Sequence, residues 1–519
     1  MKPLRWLLRG LFLAYSAPFL ARFAHSLRHP AHAQATVLKR LTRLARQSSY
    51  GRHYGIETPP DFLRRLPIVS FDDLTPWVER VTRGEPDVLL PGIVRQFEPT
   101  SGSAGQSKLI PYPPTLLQSF RRMFVLWVGD LLRHDPGLGQ GRFYFSISPR
   151  FHLASHSIAA GSQVGFESDA DYLGRWLKPW LDPFFVQVPD AAAARDAESF
   201  KQAVSVALLK ARDLESISIW NPTYLLILFD WISANRQDLL TANGPALHPD
   251  TRQALAETTI DWRRIWPSLR LVSCWRDGHA QAVAERLQDC LPDVRFQGKG
   301  LLATEAPLTI PLTGVTGGVP LLDDVYFEFE TDDGHWLGLH ELKMGESYQV
   351  IVSQMGGLYR YRLGDVVQVV GRIAQTPTLA FLGRGRLVSD LVGEKLSETL
   401  IRAEVSKLLP DDASVASFVP CRIGGDRYCL VMDHCSQDTV ALAAHIDAQL
   451  LNSHHYRLAR ELGQLGPIEP LIHPQAASIL AAWQTRQGMK WGDIKPTLLF
   501  VRLADHTLLD DLRTDDGAK

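Results

Sequence analysis

Three short stretches of this chain carry residue types that could handle a phosphorylated ligand. The first, Thr100-Ser101-Gly102-Ser103-Ala104-Gly105-Gln106-Ser107-Lys108, combines small hydroxyl residues, two glycines and a lysine. Such a loop can wrap backbone N–H groups around phosphate oxygens, with Lys108 as a point charge. It is not a Walker A loop, in which Gly-Lys directly precedes Ser or Thr; here Ser107 precedes Lys108. Taken alone it also fits a plain solvent turn. The second, Lys299-Gly300-Leu301-Leu302-Ala303-Thr304-Glu305, ends an apolar run on a single carboxylate. One or two carboxylates suffice for Mg²⁺, which keeps water and substrate phosphate oxygens as its other ligands. An ordinary strand end reads the same way. The third, Gly357-Leu358-Tyr359-Arg360-Tyr361-Arg362-Leu363-Gly364-Asp365, places an acid after a glycine turn. An acid so placed can accept hydrogen bonds from two ribose hydroxyls, although the alternating Tyr and Arg equally suit a solvated strand face.

The elements that must position these stretches are readable from apolar periodicity. Runs at Gly141–Ile147, Ile217–Trp220 and Leu269–Cys274 predict buried strands, alternating with helices at Ala191–Leu214, Tyr224–Asn235 and about Ala280–Asp289. That alternation predicts α/β layers. After Pro311, short strands at Val325–Glu330, Trp336–Glu341, Gln349–Ser353 and Asp365–Val370 predict an antiparallel β-rich subdomain. Beyond the Gly/Arg stretch Phe381–Arg386, a mix of helices and strands predicts a small α+β unit, closed by a frayed tail at Asp505–Lys519. The chain is therefore expected to form a large N-terminal domain, 1–385, opened by a helical segment to residue 49, and a small C-terminal domain, 386–519.

Lys2, Arg5 and Arg9 precede an apolar run, Leu11–Ala21, as in a secretory signal. Pro18 interrupts that run, Arg22 and Arg28 follow it, and it is far short of the ~20 apolar residues of a spanning helix. The expected placement is an amphipathic helix packed on the domain; the alternative for the same pattern is a membrane surface. The chain has 519 residues, 45% hydrophobic and 21% charged, which fits a globular protein with a large core. Its 55 Lys and Arg against 56 Asp and Glu exclude a nucleic-acid binder that works through a basic excess. Five cysteines without a C-x-x-C pair predict neither a disulfide framework nor a zinc site, and point to a reduced, cytoplasmic setting. His152 and His156 have the spacing of metal ligands but lack the glutamate of H-E-x-x-H, so no metal is expected there.

Taken in order, the hydroxyl/Gly loop with its lysine, Thr304-Glu305, the Tyr359–Asp365 run and the Gly/Arg stretch resemble the adenylate-forming superfamily of acyl-activating enzymes. Within it, the chain is similar to the auxin-responsive promoter family, the Gretchen Hagen group of acyl-acid amido synthetases, in its bacterial form. Leu66-Pro67-Ile68-Val69, Arg83-Gly84-Glu85-Pro86-Asp87, Leu109-Ile110-Pro111, Cys274-Trp275-Arg276-Asp277-Gly278, Tyr359–Val367 and Asp493-Ile494-Lys495-Pro496 carry the similarity, which runs from about residue 50 to 500.

The resemblance implies an α/β fold with a β-rich subdomain, a large N-terminal adenylate-forming domain and a small mobile α+β C-terminal domain. It implies ATP and Mg²⁺, a small carboxylic acid and an amino acid as reaction partners, and no nucleic acid. Carried over residue by residue, the phosphate loop falls on Ser101, Gly102, Ser103, Gly105 and Lys108. The metal-holding, catalytic acid falls on Glu305, with Thr304 before it. The ribose-binding acid falls on Asp365, with Tyr361 in the same motif, and the basic residue beyond it on Arg384. Lys495 matches the catalytic lysine that the mobile domain delivers. Leu301 stands where the family often has an aromatic residue, and Arg386 where the wider superfamily often has an acid. An acyl-CoA ligase would use the same intermediate, and a silent nucleotide-binding or membrane-associated scaffold is the alternative from another class. For the acyl group the candidates are the aromatics Phe124, Trp127, Tyr224 and Phe229, on helices where a core role is the default, and the strand-end residues Ser148, Arg150 and His152.

Overall fold

Two helices open the chain where one helical segment was expected: α1 (Lys2–Arg28) and α2 (Pro30–Arg46). The break falls at Pro30, whose missing N–H costs nothing at the first helical position. Pro18 does not end α1 but sits inside it on the solvent side, where water can satisfy the carbonyl that Pro18 leaves unbonded. The computed structural model describes residues 2–99, 108–146, 158–165, 182–188, 194, 196–277, 280–331, 334–384, 388–389, 391–392, 394, 396–405, 408–409, 413, 415–487, 489, 494 and 497–513.

Two arginines, one buried and one half-buried, pin α1 to the domain. Arg5 is 3% exposed and donates to Asp213 (2.8 Å) and to the carbonyls of Gln140 and Pro183. Arg9 donates to the carbonyls of Leu132 and Leu138. The outward side of α1 is also apolar, with Leu4, Trp6, Leu7, Leu11 and Tyr15 between 43% and 68% exposed. The helix packs on the domain as expected, but it is apolar on both sides rather than amphipathic. No Asp or Glu occurs before Glu57, against ten Lys and Arg in the first 56 residues. Among them Arg22, Arg28, Lys39 and Arg43 are exposed.

Helix α3 (Phe71–Thr82) starts at a reciprocal cap, with the Ser70 N–H donating to Asp73 and the Asp73 N–H to the Ser70 hydroxyl. Strands β1 (Gln96–Pro99) and β2 (Leu109–Pro111) pair antiparallel, Pro99 opposite Leu109, so the 100–108 loop spans the tip of a hairpin. Helix α4 (Pro114–His134) follows and packs against α1.

The alternating region forms a parallel sheet: β3 (Arg142–Phe145), then α5 (Ala197–Lys210), β4 (Leu214–Ser218), α6 (Pro222–Ala234), β5 (Leu271–Cys274), α7 (Gln281–Cys290) and β6 (Arg295–Gly298). The strands lie in chain order, with Tyr144, Ile217, Val272 and Phe296 aligned across them. Every residue of β4 is buried, including Glu215, whose carboxylate accepts the N–H groups of Gly139 and Gln140. Burial pushes the Glu215 carboxyl up, and those donors pull against it. This satisfied acid is why β4 begins at Leu214, three residues before the expected start.

A two-residue turn joins β7 (Leu302–Ala303) to β8 (Ala306–Pro307). The β-rich region is one antiparallel sheet of β9 (Tyr326–Glu330), β10 (Trp336–Gly338), β11 (Ser347–Ser353), β12 (Tyr361–Ile373) and β13 (Thr376–Arg384), ordered β10-β9-β11-β12-β13. The first large core joins this sheet to α1–α4, and a second surrounds the parallel sheet.

Beyond residue 387 lie α8 (Glu398–Val405), β14 (Ala416–Arg422), β15 (Asp426–Met432), α9 (Thr439–Leu450), β16 (Glu469–Ile472), α10 (Ala476–Arg486) and α11 (His506–Arg513), with cores of their own. The tail is therefore not frayed over 506–513. Leu508, Leu509 and Leu512 are buried there, and Asp505 caps the helix by accepting the Leu508 N–H at 2.8 Å. Among the described residues no helix is long and apolar enough to cross a membrane.

Candidate active site

The Thr304–Glu305 turn is the hub of the site. The Tyr112 hydroxyl, one residue beyond β2, donates to the Thr304 carbonyl at 2.6 Å. The Gln354 side chain, one residue beyond β11, donates to the Glu305 carbonyl at 2.9 Å. Both backbone acceptors of the turn are thus tied, one to the hairpin that carries the 100–108 loop and one to the β-rich sheet. Both residues of the turn are half-buried. Leu301, at the position of the family's aromatic residue, is a core residue whose N–H bonds to Thr309, so it offers no stacking face.

Lys108 leaves the loop with its ammonium 5.3 Å from the centre of the Phe71 ring, within cation–π range. Phe71 starts α3, and Val69 just before it docks on β12: the Val69 N–H donates to Arg360 and its carbonyl accepts from Arg362. Asp365 lies further along β12, 6% exposed, with Arg384 as its register partner on β13. Lys108, Thr304, Glu305, Asp365 and Arg384 therefore stand on segments that are directly joined to one another. Tyr361 is a core residue at the start of β12. Ser101, Gly102, Ser103, Gly105 and Lys495 lie outside the described residues, as do Ser148, Arg150, His152, His156 and Arg386.

The Tyr-Arg-Tyr-Arg run is not a solvated face. Tyr359 and Tyr361 are buried, and Arg360 and Arg362 reach across β11 to Glu328 and Glu330 of β9. Arg360 donates to both Glu328 oxygens and to the carbonyls of Leu63 and Leu66.

A second group of residues gathers where the parallel strands end. Lys299, just past β6, donates to the Ser218 hydroxyl at 2.7 Å, with the rings of Trp220 and Trp127 at 4.9 and 5.5 Å. Past β5, burial pushes the Asp277 carboxyl up, opposed by Arg276 and by the N–H of Phe381 on β13. Of the aromatics considered for an acyl group, Phe124 and Trp127 line cavities here. Tyr224 and Phe229 belong to the second core, where one bonds Tyr144 and the other stacks on Trp262. Sequence reasoning missed Tyr112 and Gln354 and gave no role to Lys299, although Lys299 opens the second of the stretches it singled out. Its place after a strand of a parallel sheet, where such sheets bind ligands, is the signal.

The fold is that of an acyl acid amido synthetase. It superposes on the structure titled AtGH3.15 acyl acid amido synthetase in complex with 2,4-DB with a TM-score of 0.80, at 19% identity, covering 96% of this chain and 95% of that one. The sequence matches the GH3 family N-terminal domain over residues 19–242 and the GH3 family central domain over 318–384, together more than half the chain. The chain belongs to the GH3 family. A probable indole-3-acetic acid-amido synthetase, GH3.4 of Oryza sativa subsp. japonica, is 24% identical over 75% of this chain and 71% of its own length. A 4-substituted benzoates-glutamate ligase, GH3.12 of Arabidopsis thaliana, is 22% identical over 67% of each. These two relatives are named for different acyl acids, so membership leaves that substrate open.

Proposed function

We propose that this chain holds ATP across the 100–108 loop, the Thr304–Glu305 turn and Asp365, and that Lys495 comes to it on a C-terminal domain beginning near residue 386. The chain is an ATP-dependent ligase that adenylates a carboxylic acid and then forms an amide with an amino acid. The observation that carries the site assignment is the double anchoring of the turn. It supports a Glu305 held between the hairpin that carries the 100–108 loop and the β-rich sheet that carries Asp365.

In the first step a carboxylate oxygen of the acid attacks the α-phosphorus of ATP and pyrophosphate leaves. Both reactants are anionic, so the site must neutralise charge and hold them in line. Lys108, the loop N–H groups and Lys495 supply positive charge. Among the described residues no group of three or more His, Cys, Asp or Glu could hold a metal ion. A single acid such as Glu305 fits Mg²⁺, which takes few protein ligands and, when bound, shares its charge with the phosphates. In the second step the amine nitrogen attacks the acyl carbon, AMP leaves and the nitrogen sheds a proton. Neither step needs a protein nucleophile.

The test is pyrophosphate release from ATP across a panel of carboxylic acids, with turnover measured against added amino acids and against CoA. Acid-dependent release with amino-acid-dependent turnover supports the reading. Dependence on CoA instead would make the chain a thioester ligase. Asp365→Ala is expected to weaken ATP binding by about 1.5–3 kcal/mol through lost ribose hydrogen bonds to a charged acceptor. Equilibrium ATP titration checks this, and an unchanged affinity removes the ribose assignment.

A further inference from the structure

We propose that a cavity walled by α1 binds the hydrocarbon chain of a medium- to long-chain aliphatic carboxylic acid, with the acid group toward Lys299. The cavity has a volume of about 360 Å³ and lies between α1, α4 and the first strands of the parallel sheet. Leu8, Phe12 and Tyr15 of α1 face Trp127 and Leu131 of α4 and Phe145 of β3 across it. That volume is within the range of small-molecule sites. Its lining is almost wholly apolar, so water gains few partners inside.

Length is set by volume, since each methylene occupies about the space of a water, ~30 Å³. The chamber of about 360 Å³ therefore holds a dozen or more methylene-sized groups. A single aromatic ring would leave most of the lining without contacts.

Arg9 lines the chamber with its guanidinium already bonded to the carbonyls of Leu132 and Leu138, and further charge comes from a neighbouring cavity that shares part of the lining. Phe124, Trp127 and Ser218 also line a second, smaller cavity, of about 30 Å³, together with Lys299 and Leu302. The ammonium of Lys299 sits there on Ser218 between two indole rings. Leu302 lies two residues before Thr304, so the same short segment leads from Lys299 to the turn at the centre of the proposed site. The outer end is apolar: Leu11 and Tyr15 line the chamber and are also 57% and 43% exposed. A ligand entering there meets carbon first. The α1 wall, Leu8 to Tyr15, precedes residue 19, where the family match begins. The fate of the bound acid rests on the function proposed above, whereas its binding does not.

The experiment uses the full chain without ATP and measures displacement of parinaric acid, a fluorescent fatty acid, by straight-chain acids from butanoate to hexadecanoate. Affinity is expected to rise about three- to fourfold per methylene and to level off at about twelve carbons or beyond. Leu8→Trp, which fills the chamber, is expected to weaken dodecanoate at least tenfold and butanoate less than twofold. Leu4→Ser, on the outward face of α1, is expected to change neither. Lys299→Gln tests the inner end independently of packing: every acid weakens by a similar factor and the chain-length slope remains.

Absence of dodecanoate binding overturns the proposal. So does binding that Leu8→Trp leaves intact, or that Leu4→Ser abolishes, since either places the acid on the outer surface. If Leu8→Trp does not fold, a chain-length slope or plateau that departs from the expected one overturns the proposal in the unaltered protein. Dodecanoate binding without acid-dependent pyrophosphate release would retain the chamber and remove the synthetase reading. Release with short acids and no dodecanoate binding would do the reverse.

Discussion

Lys495→Ala is expected to slow acid-dependent adenylation by about 10²–10³-fold, the usual loss when one preorganised charge donor is removed from a transition state, with ATP affinity nearly unchanged. Ile494, the residue before it, gives the physical reason. The Ile494 carbonyl accepts a hydrogen bond from the Asn221 side-chain amide. Asn221 caps α6 through the Thr223 N–H, three residues past the end of β4. That is the end of the parallel sheet at which open α/β sheets bind ligands. A lysine delivered beside it would act on charge that develops as pyrophosphate departs, and much less on the ground state. Acid-dependent exchange of labelled pyrophosphate into ATP, set against direct ATP titration, separates the two effects. Equal losses in both would mean that Lys495 only binds nucleotide.

The largest expected effect on stability comes from Arg360→Ala. Arg360 and Glu328 are both buried, the pair is bidentate, and the same guanidinium also holds the carbonyls of Leu63 and Leu66. Arg360 adopts a left-handed backbone conformation, φ 48°, which a non-glycine residue keeps only when its surroundings hold it there. Removing the arginine leaves the Glu328 charge buried and unpaired, at a cost of about 3–5 kcal/mol. Native-state hydrogen exchange of the β12 amides is the measurement. Arg360→Met with Glu328→Leu is expected to recover most of the loss, since it removes both charges. A loss under about 1 kcal/mol for Arg360→Ala would show that the pair is solvated in solution.

Arg360 also shows where sequence reading stops. Three of the parallel strands, β3, β4 and β5, were legible as short apolar runs between turn signals, and β5 was placed within two residues; β6, Arg-Phe-Gln-Gly, has no apolar run and was not. The start of β12 was not: an alternating Tyr-Arg run looks solvated until Glu328 and Glu330, 32 residues earlier, are known to lie across β11 from it. The tail failed for a related reason, because the aspartates around Leu508, Leu509 and Leu512 hid a helix that only a partner core makes visible.

In the candidate site, motifs alone picked out Lys108, Thr304, Glu305, Asp365 and Arg384, whose segments the fold joins. Tyr112 and Gln354 were not, since their role is to bond backbone carbonyls 192 and 49 residues away in sequence. Phe124 and Trp127 could not be told from Tyr224 and Phe229 by helical spacing. What separates them is which side of the parallel sheet each helix covers.

The first two helices carry exposed cations and no acid of their own. A net charge of −1 predicts indifference to either ion-exchange resin at neutral pH. A surface field, however, depends on where charges stand and not on their sum. With Arg22, Arg28, Lys39 and Arg43 exposed on α1 and α2 and no Asp or Glu in the first 56 residues, the protein is expected to be retained by a cation exchanger at pH 7 and low salt. Reversing Lys39 and Arg43 to glutamate is expected to release it at markedly lower salt. Adsorbed this way, the molecule would turn α1 and α2 toward any anionic surface.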